Sequence, residues 1–270
     1  MKKQSRRRFV ATVTGVFFTG CISGNQGKDT EDNDTDEGEP EYVTTASKGA
    51  LELPRDSLEV TVENVGDGRG SCSTSLRTYK VVDGERYIIA PLYSTLDAVL
   101  LEPGDEYTLT FTVDNTDRDA GGSIGRGDQT LWGLNPGTYV SELAPDDGAE
   151  FEIVGEPVDV DSVSHEVVEE DGVVNVYQDV ENLNDDEPAV RLTPTDADGN
   201  RLIEEQLNQF GALRDAVIHA EGNPANIYTD YPPGSRLRFY TGEDLSDGPV
   251  VIEYDDHAYR VEISEQKMTA

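Results

Sequence analysis

Hydrophobic and polar residues alternate with a period of two along Leu58-Glu59-Val60-Thr61-Val62-Glu63-Asn64, placing Leu58, Val60 and Val62 on one face of a strand. Tyr107 to Val113 repeats the pattern behind the turn residues Glu102-Pro103-Gly104-Asp105. Tyr79 to Val82 and Arg86 to Ile89 flank Asp83-Gly84-Glu85, a predicted hairpin. Asn135-Pro136-Gly137 feeds Thr138 to Leu143, and Glu150 to Val154 closes the set. Short strands with turn chemistry between them predict an antiparallel β-sandwich over residues 45–156, each sheet burying one face.

Beyond Pro157 the pattern changes. Val173 to Tyr177 and Ala189 to Leu192 read as strands. From Leu202, the apolar residues Ile203, Leu207, Phe210, Leu213, Val217 and Ala220 recur at three- and four-residue steps, predicting one helix with an apolar face, stopped by Gly222 and Pro224. Strand-like runs return at Asn226 to Tyr228, Arg236 to Tyr240, Val250 to Tyr254 and Tyr259 to Ile263. Residues 157–270 are therefore expected to form a small α+β domain with the helix laid across a sheet. The fold class is mainly β.

Several features of residues 45–156 resemble a bacterial immunoglobulin-like domain family of surface proteins. They are Val60-Thr61-Val62-Glu63-Asn64, Tyr79 through Ile89 around Asp83-Gly84, Leu101-Glu102-Pro103-Gly104-Asp105, and Leu134-Asn135-Pro136-Gly137-Thr138-Tyr139. The resemblance implies an immunoglobulin-like sandwich and no particular activity.

The first residues run from a basic start (Lys2, Lys3, Arg6, Arg7, Arg8) through an apolar stretch, Phe9 to Phe18, to a small-residue exit, the order of a secretory signal. The apolar stretch is shorter than the roughly 20 residues of a membrane-spanning helix. Ser5-Arg6-Arg7-Arg8-Phe9-Val10 resembles the twin-arginine export motif, and Phe18-Thr19-Gly20-Cys21 resembles a lipobox, in which Gly20 lets the processing enzyme approach and Cys21 accepts the lipid. Phe18 departs from the aliphatic residue usual there. The resemblances imply a signal peptide over 1–20 and a lipid-bearing Cys21 that anchors the chain to the outer face of the cytoplasmic membrane. An ordinary cleaved signal with Cys21 as a bystander is the alternative. Residues 21–44 form an acidic linker. Ile22 to Glu41 holds eight carboxylates and one lysine without apolar periodicity, so it is expected to be a disordered, solvated tether. It carries a glycosylation sequon at Asn33.

Charge sharpens the picture. The chain carries 55 acidic against 21 basic residues, a formal net charge of −34. Phosphate-neutralising nucleic-acid binding is excluded as a partner mode. Loss of residues 1–20 leaves 16 basic residues and a charge of −39, with only Lys28, Lys48, Lys80 and Lys267 as lysines. Self-repulsion of that size is tolerable where molar salt shortens the Debye length to about 3 Å. The balance resembles that of haloarchaeal proteins, and together with the two export motifs it resembles a haloarchaeal twin-arginine-exported lipoprotein.

Candidate chemistry is sparse. Asp196, Asp198 and Asn200 alternate like the start of a calcium loop, but Arg201 replaces the required glycine and Leu207 the closing carboxylate, leaving a turn or helix cap. His165, His219 and His257 are far apart in sequence and form no metal-ligand pair; His219 is placed to cap a helix C-terminus. The glycine-rich run Gly121 to Gly127 lacks both a nucleophile elbow and Gly-Lys-Ser/Thr. Cys72, without a neighbouring histidine, reads as a small buried or half-buried thiol. Trp132 and Tyr139 read as sandwich core, with an aromatic ligand platform as the other possibility. No catalytic residue, metal site or cofactor is expected. The expected function is a non-enzymatic, lipid-anchored surface protein with a binding or envelope-organising role. The alternative is a ligand-binding lipoprotein presenting a small molecule or ion to a transport system. Beyond the membrane, the partners left open are a surface protein or a small ligand.

Overall fold

A computed structural model describes residues 38–90, 97–116, 127–145, 147–157, 165–178, 189–229, 234–242 and 248–263. The fold is mainly β. The first module contains β1 (Tyr42–Ala46), β2 (Ala50–Glu52), β3 (Arg55–Asn64), β4 (Gly70–Ser73), β5 (Arg77–Val82) and β6 (Glu85–Ala90). It continues with β7 (Ala98–Leu101), β8 (Glu106–Asp114), β9 (Gln129–Leu131), β10 (Gly137–Ala144) and β11 (Asp147–Val154). One sheet has the order β1-β3-β8-β9 and a second β2-β11-β10-β5-β6, while β4 and β7 pair separately.

The alternating faces behave as the pattern requires. Leu58, Val60 and Val62 of β3 meet Leu109, Phe111 and Val113 of β8 and Phe151 and Ile153 of β11 in one buried core. The Phe111 and Phe151 rings, from opposite sheets, lie 5.3 Å apart. Asp83 and Gly84 both take positive φ, 53° and 85°, between β5 and β6, the backbone twist a two-residue hairpin needs. The pairing is not wholly antiparallel, because β9 joins β8 and β2 joins β11 in parallel. Strand β1 begins at Tyr42, inside the span expected to be linker, since Tyr42 to Ala46 finds a ladder on β3.

The second module contains β12 (Glu166–Glu170), β13 (Val173–Gln178), β14 (Val190–Pro194), β15 (Asn200–Arg201), α1 (Glu204–Asn208), α2 (Gly211–Ala220) and β16 (Ala225–Thr229). α3 (Gly234–Thr241), β17 (Val250–Tyr254) and β18 (His257–Ile263) complete it. Its seven strands form one mixed sheet, β12-β13-β16-β14-β18-β17-β15, with α2 packed on β13 and β16. Val174, Val176, Ile227, Leu213, Ala216 and Val217 share its core.

Two expectations are corrected here. The single helix from Leu202 is two helices, broken at Gln209 and Phe210. Phe210 leaves helical geometry (φ −126°, ψ 71°) and packs edge-to-face on Tyr240 with ring centroids 5.3 Å apart. The amides of Asn208 and Gln209 turn away to donate to the carbonyls of Gly133 and Trp132. Arg236 to Tyr240, expected as a strand, lies in helix α3. Leu237, Tyr240 and Thr241 stand at helical spacing, with Leu237 and Thr241 buried and Tyr240 packed against the second core. The Leu237 carbonyl accepts from Thr241 Oγ1 at 3.1 Å.

The two modules meet along one side of the first, between β6 and the turn after β9. Gln206 Nε2 donates to the Ile88 carbonyl (3.0 Å) and Tyr240 OH to the Ile89 carbonyl (2.9 Å), both on edge strand β6. Asn208 Nδ2 donates to Gly133 O at 2.7 Å. Gly133 has φ 76°, and a Cβ there would lie 2.6 Å from the Cβ of Asn208, so a side chain is excluded on both counts. Ile203, at the mouth of α1, is buried in the core of the first module, not the second.

Candidate functional site

Arg6, Arg7, Phe9, Gly20, Cys21 and Asn33, the residues the sequence marks for export, lipid attachment and glycosylation, lie outside the described residues, as does most of the Gly121 to Gly127 run. The other candidates are located. Asp196 to Gly199 lie in the turn between β14 and β15, with Asn200 opening β15, and Gly199 N donates to Glu253 Oε1 at 2.6 Å. Leu207 is fully buried. Among the described residues no group of three His, Cys, Asp or Glu is placed to hold a metal ion.

Cys72 is a buried free thiol on β4. Burial raises its pKa to about 11, so it is protonated at neutral pH and a poor nucleophile. Tyr139 is fully buried and stacks on Phe151 at 6.1 Å. Its hydroxyl donates to the Asn135 carbonyl at 2.7 Å, and burial first, then the nearby Glu205 carboxylate, pushes its pKa well above the usual range. Trp132 is also mostly buried. Neither ring is an exposed platform.

Two charged groupings escape the sequence pattern. Lys80 on β5 pairs with Glu205 on α1, their side chains 13% and 2% exposed, and the Lys80 ammonium lies 5.7 Å from the centre of the Tyr139 ring. Arg214 and Asp215, adjacent on α2, are each 1% exposed. Asp215 Oδ2 is 2.6 Å from His165 Nδ1, and Asp215 Oδ1 is 3.6 Å from Arg214 Nη1, so one carboxylate faces both the imidazole and the guanidinium. His165, His219 and His257 do not converge: His219 ends α2 on an exposed position, and His257 opens β18 beside Gly222.

Aromatic and amide groups come together on the sheet face opposite α2. Tyr177 of β13 and Tyr228 of β16 are register partners with rings 4.8 Å apart and 12° from parallel. One row along, Asn226 Nδ2 donates to Asn175 Oδ1 at 3.1 Å, and Arg191 of β14 is the register partner of Asn226. Burial raises the Tyr177 pKa, followed by Tyr228 and the carboxylates of Glu170 and Glu166. This face offers stacking and hydrogen bonding, with no nucleophile among its described members. Its signal in the sequence is the polar and aromatic half of two strands, Asn175-Val176-Tyr177 and Asn226-Ile227-Tyr228, visible only once the strands are known to be neighbours.

No protein family model and no curated protein matches the chain. Among solved structures it is similar to a β-glucosidase from Erythrobacter marinus (19% identity, 43% of this chain and 16% of that one, TM-score 0.24). It is also similar to a β-glucosidase from Listeria innocua in complex with glucose (19% identity, 44% and 16%, TM-score 0.26). A third likeness is to the alkylpurine DNA glycosylase AlkC of Pseudomonas fluorescens bound to DNA containing an abasic site analog (15% identity, 43% and 31%, TM-score 0.24). The chain spans less than a third of each of these proteins, and at such TM-scores their activities do not transfer to it.

Proposed function

We propose that this is a haloarchaeal lipoprotein, exported by the twin-arginine route and held by Cys21 on the outer face of the cytoplasmic membrane, where it displays an immunoglobulin-like module joined to a helix-bearing β module. The role is non-enzymatic, in binding or envelope organisation. The observation that carries the reading is the succession of Arg6-Arg7-Arg8-Phe9, a short apolar stretch and Thr19-Gly20-Cys21, followed by an acidic segment. The immunoglobulin-like reading draws support from two features. Four- and five-stranded sheets share one core, and the Tyr139 hydroxyl reaches back to the Asn135 carbonyl in the manner of a tyrosine corner. The acid excess supports a high-salt habitat. None of the described helices is long and apolar enough to cross a membrane. The test is cell fractionation: Cys21→Ser is expected to move the protein from membrane to medium, and Arg6→Lys with Arg7→Lys to retain it inside the cell. A wild-type protein found soluble in the cytoplasm contradicts the reading.

A second reading, a lipoprotein that presents a small molecule, is favoured by the Tyr177–Tyr228 and Asn175–Asn226 face. A thermal-shift screen of small solutes in molar KCl tests it. A specific ligand raises the melting temperature by mass action, and Tyr228→Ala abolishes the shift.

A further inference from the structure

Strand β6 ends one sheet of the first module and β9 the other, and both ends face the second module. Sheet edges left open expose unpaired backbone groups and the seam of the core between them. Here the seam is closed from outside the module. Gln206 and Tyr240 take the carbonyls of Ile88 and Ile89, beside the irregularity in the β5–β6 ladder at Thr78 and Tyr79. Asn208 and Gln209 take the carbonyls of Gly133 and Trp132. Ile203 joins the first core, and the part-buried Lys80–Glu205 pair spans the junction against the Tyr139 ring. Three of these donors come from α1 and α3 and the fourth, Gln209, from the residue that caps α1; the helices' apolar residues Leu207 and Leu237 belong to the second core. Each helix therefore has one face in each module.

We infer that α1 and α3 form an intramolecular clamp on the β6–β9 side of the first module, so that the two cores unfold as one cooperative unit and not as independent modules on a string. Removing a residue deep in the second core must then weaken the first. The inference concerns the folded body alone and stands apart from the proposed export and lipid attachment.

The test uses the whole chain. Val176→Ala opens space in the second core at a fully buried position, and Ile227→Val is a milder variant of the same kind. Urea unfolding in molar KCl is followed by fluorescence of Trp132, the only tryptophan, in the first module, and by ellipticity at 222 nm, to which the helices of the second contribute. Hydrogen exchange of the amides of β8, an inner strand between β3 and β9, gives a second probe of the first module. The clamp predicts coincident transitions in the wild type. It also predicts the same fall in midpoint on both signals for each variant, and β8 amides that exchange about tenfold faster in Val176→Ala. Separate transitions, or a Trp132 midpoint and β8 protection left unchanged by either variant, would overturn it.

Discussion

At the scale of single residues, the buried polar and titratable groups carry the information that periodicity lacks. Arg214 and Asp215 fall between the apolar positions Leu213 and Ala216, and a helical projection assigns them to a solvated face. The structure buries both, because His165 brings a partner for the carboxylate from another element. Glu205 likewise looks solvent-bound in sequence and is buried because Lys80 arrives from a strand 125 residues away. Such pairs are invisible to local pattern, since the partner of each carboxylate is distant in sequence. Tyr139 was legible as core, and its environment makes a pH prediction. Its folded pKa lies well above the ordinary tyrosine value of about 10, and Cys72 lies at about 11. A group whose acid is stabilised by folding contributes fully below its unfolded pKa and loses that contribution as pH rises. The melting temperature is therefore expected to be insensitive to these groups from pH 7 to about 8, to begin falling near pH 9 as the unfolded Cys72 thiol ionises, and to fall further above about pH 10 as Tyr139 adds its share. Tyr139→Phe removes the Tyr139 share of the alkaline fall, leaving that of Cys72, while costing about 1 kcal/mol at neutral pH through loss of the bond to Asn135. Thermal melts across pH 7 to 11 check both effects.

Elements whose pattern matched one period were read correctly. Strands β3, β8 and β11 follow their alternation, and the Asp83-Gly84 hairpin follows its turn chemistry. The missed strand β12 had a comparable cue in Asp171-Gly172, whose φ values of 51° and 77° make the turn into β13. Elements that satisfy two periods were not decided by sequence. Arg236-Leu237-Arg238-Phe239-Tyr240 alternates like a strand, yet Leu237, Tyr240 and Thr241 also make a helical stripe, and tertiary packing chose the stripe. Short strands such as β2, β9 and β15 have too few residues to show any period. The hairpin gives a clean test of backbone preference. A Cβ on Gly84 would meet no atom within 4 Å, so Gly84→Ala changes only the cost of the positive φ. It is expected to lower stability by about 1–2 kcal/mol with no change in fold, read from urea midpoints and circular dichroism.

For the whole molecule, the sequence made the mainly β fold legible, because it depends on local periodicity and turn chemistry. The clamp between the modules was not legible. It is built from amides and a tyrosine hydroxyl that donate to backbone carbonyls, and a carbonyl leaves no mark in a sequence. The candidate export and lipidation residues, by contrast, are read entirely from adjacent positions. Their account rests on chemistry at Cys21. Intact mass of the protein extracted from membranes by detergent tests it most directly. The account predicts a chain that starts at Cys21, lacks residues 1–20 and carries the added mass of acyl chains, and a protein of unprocessed mass without lipid would contradict it.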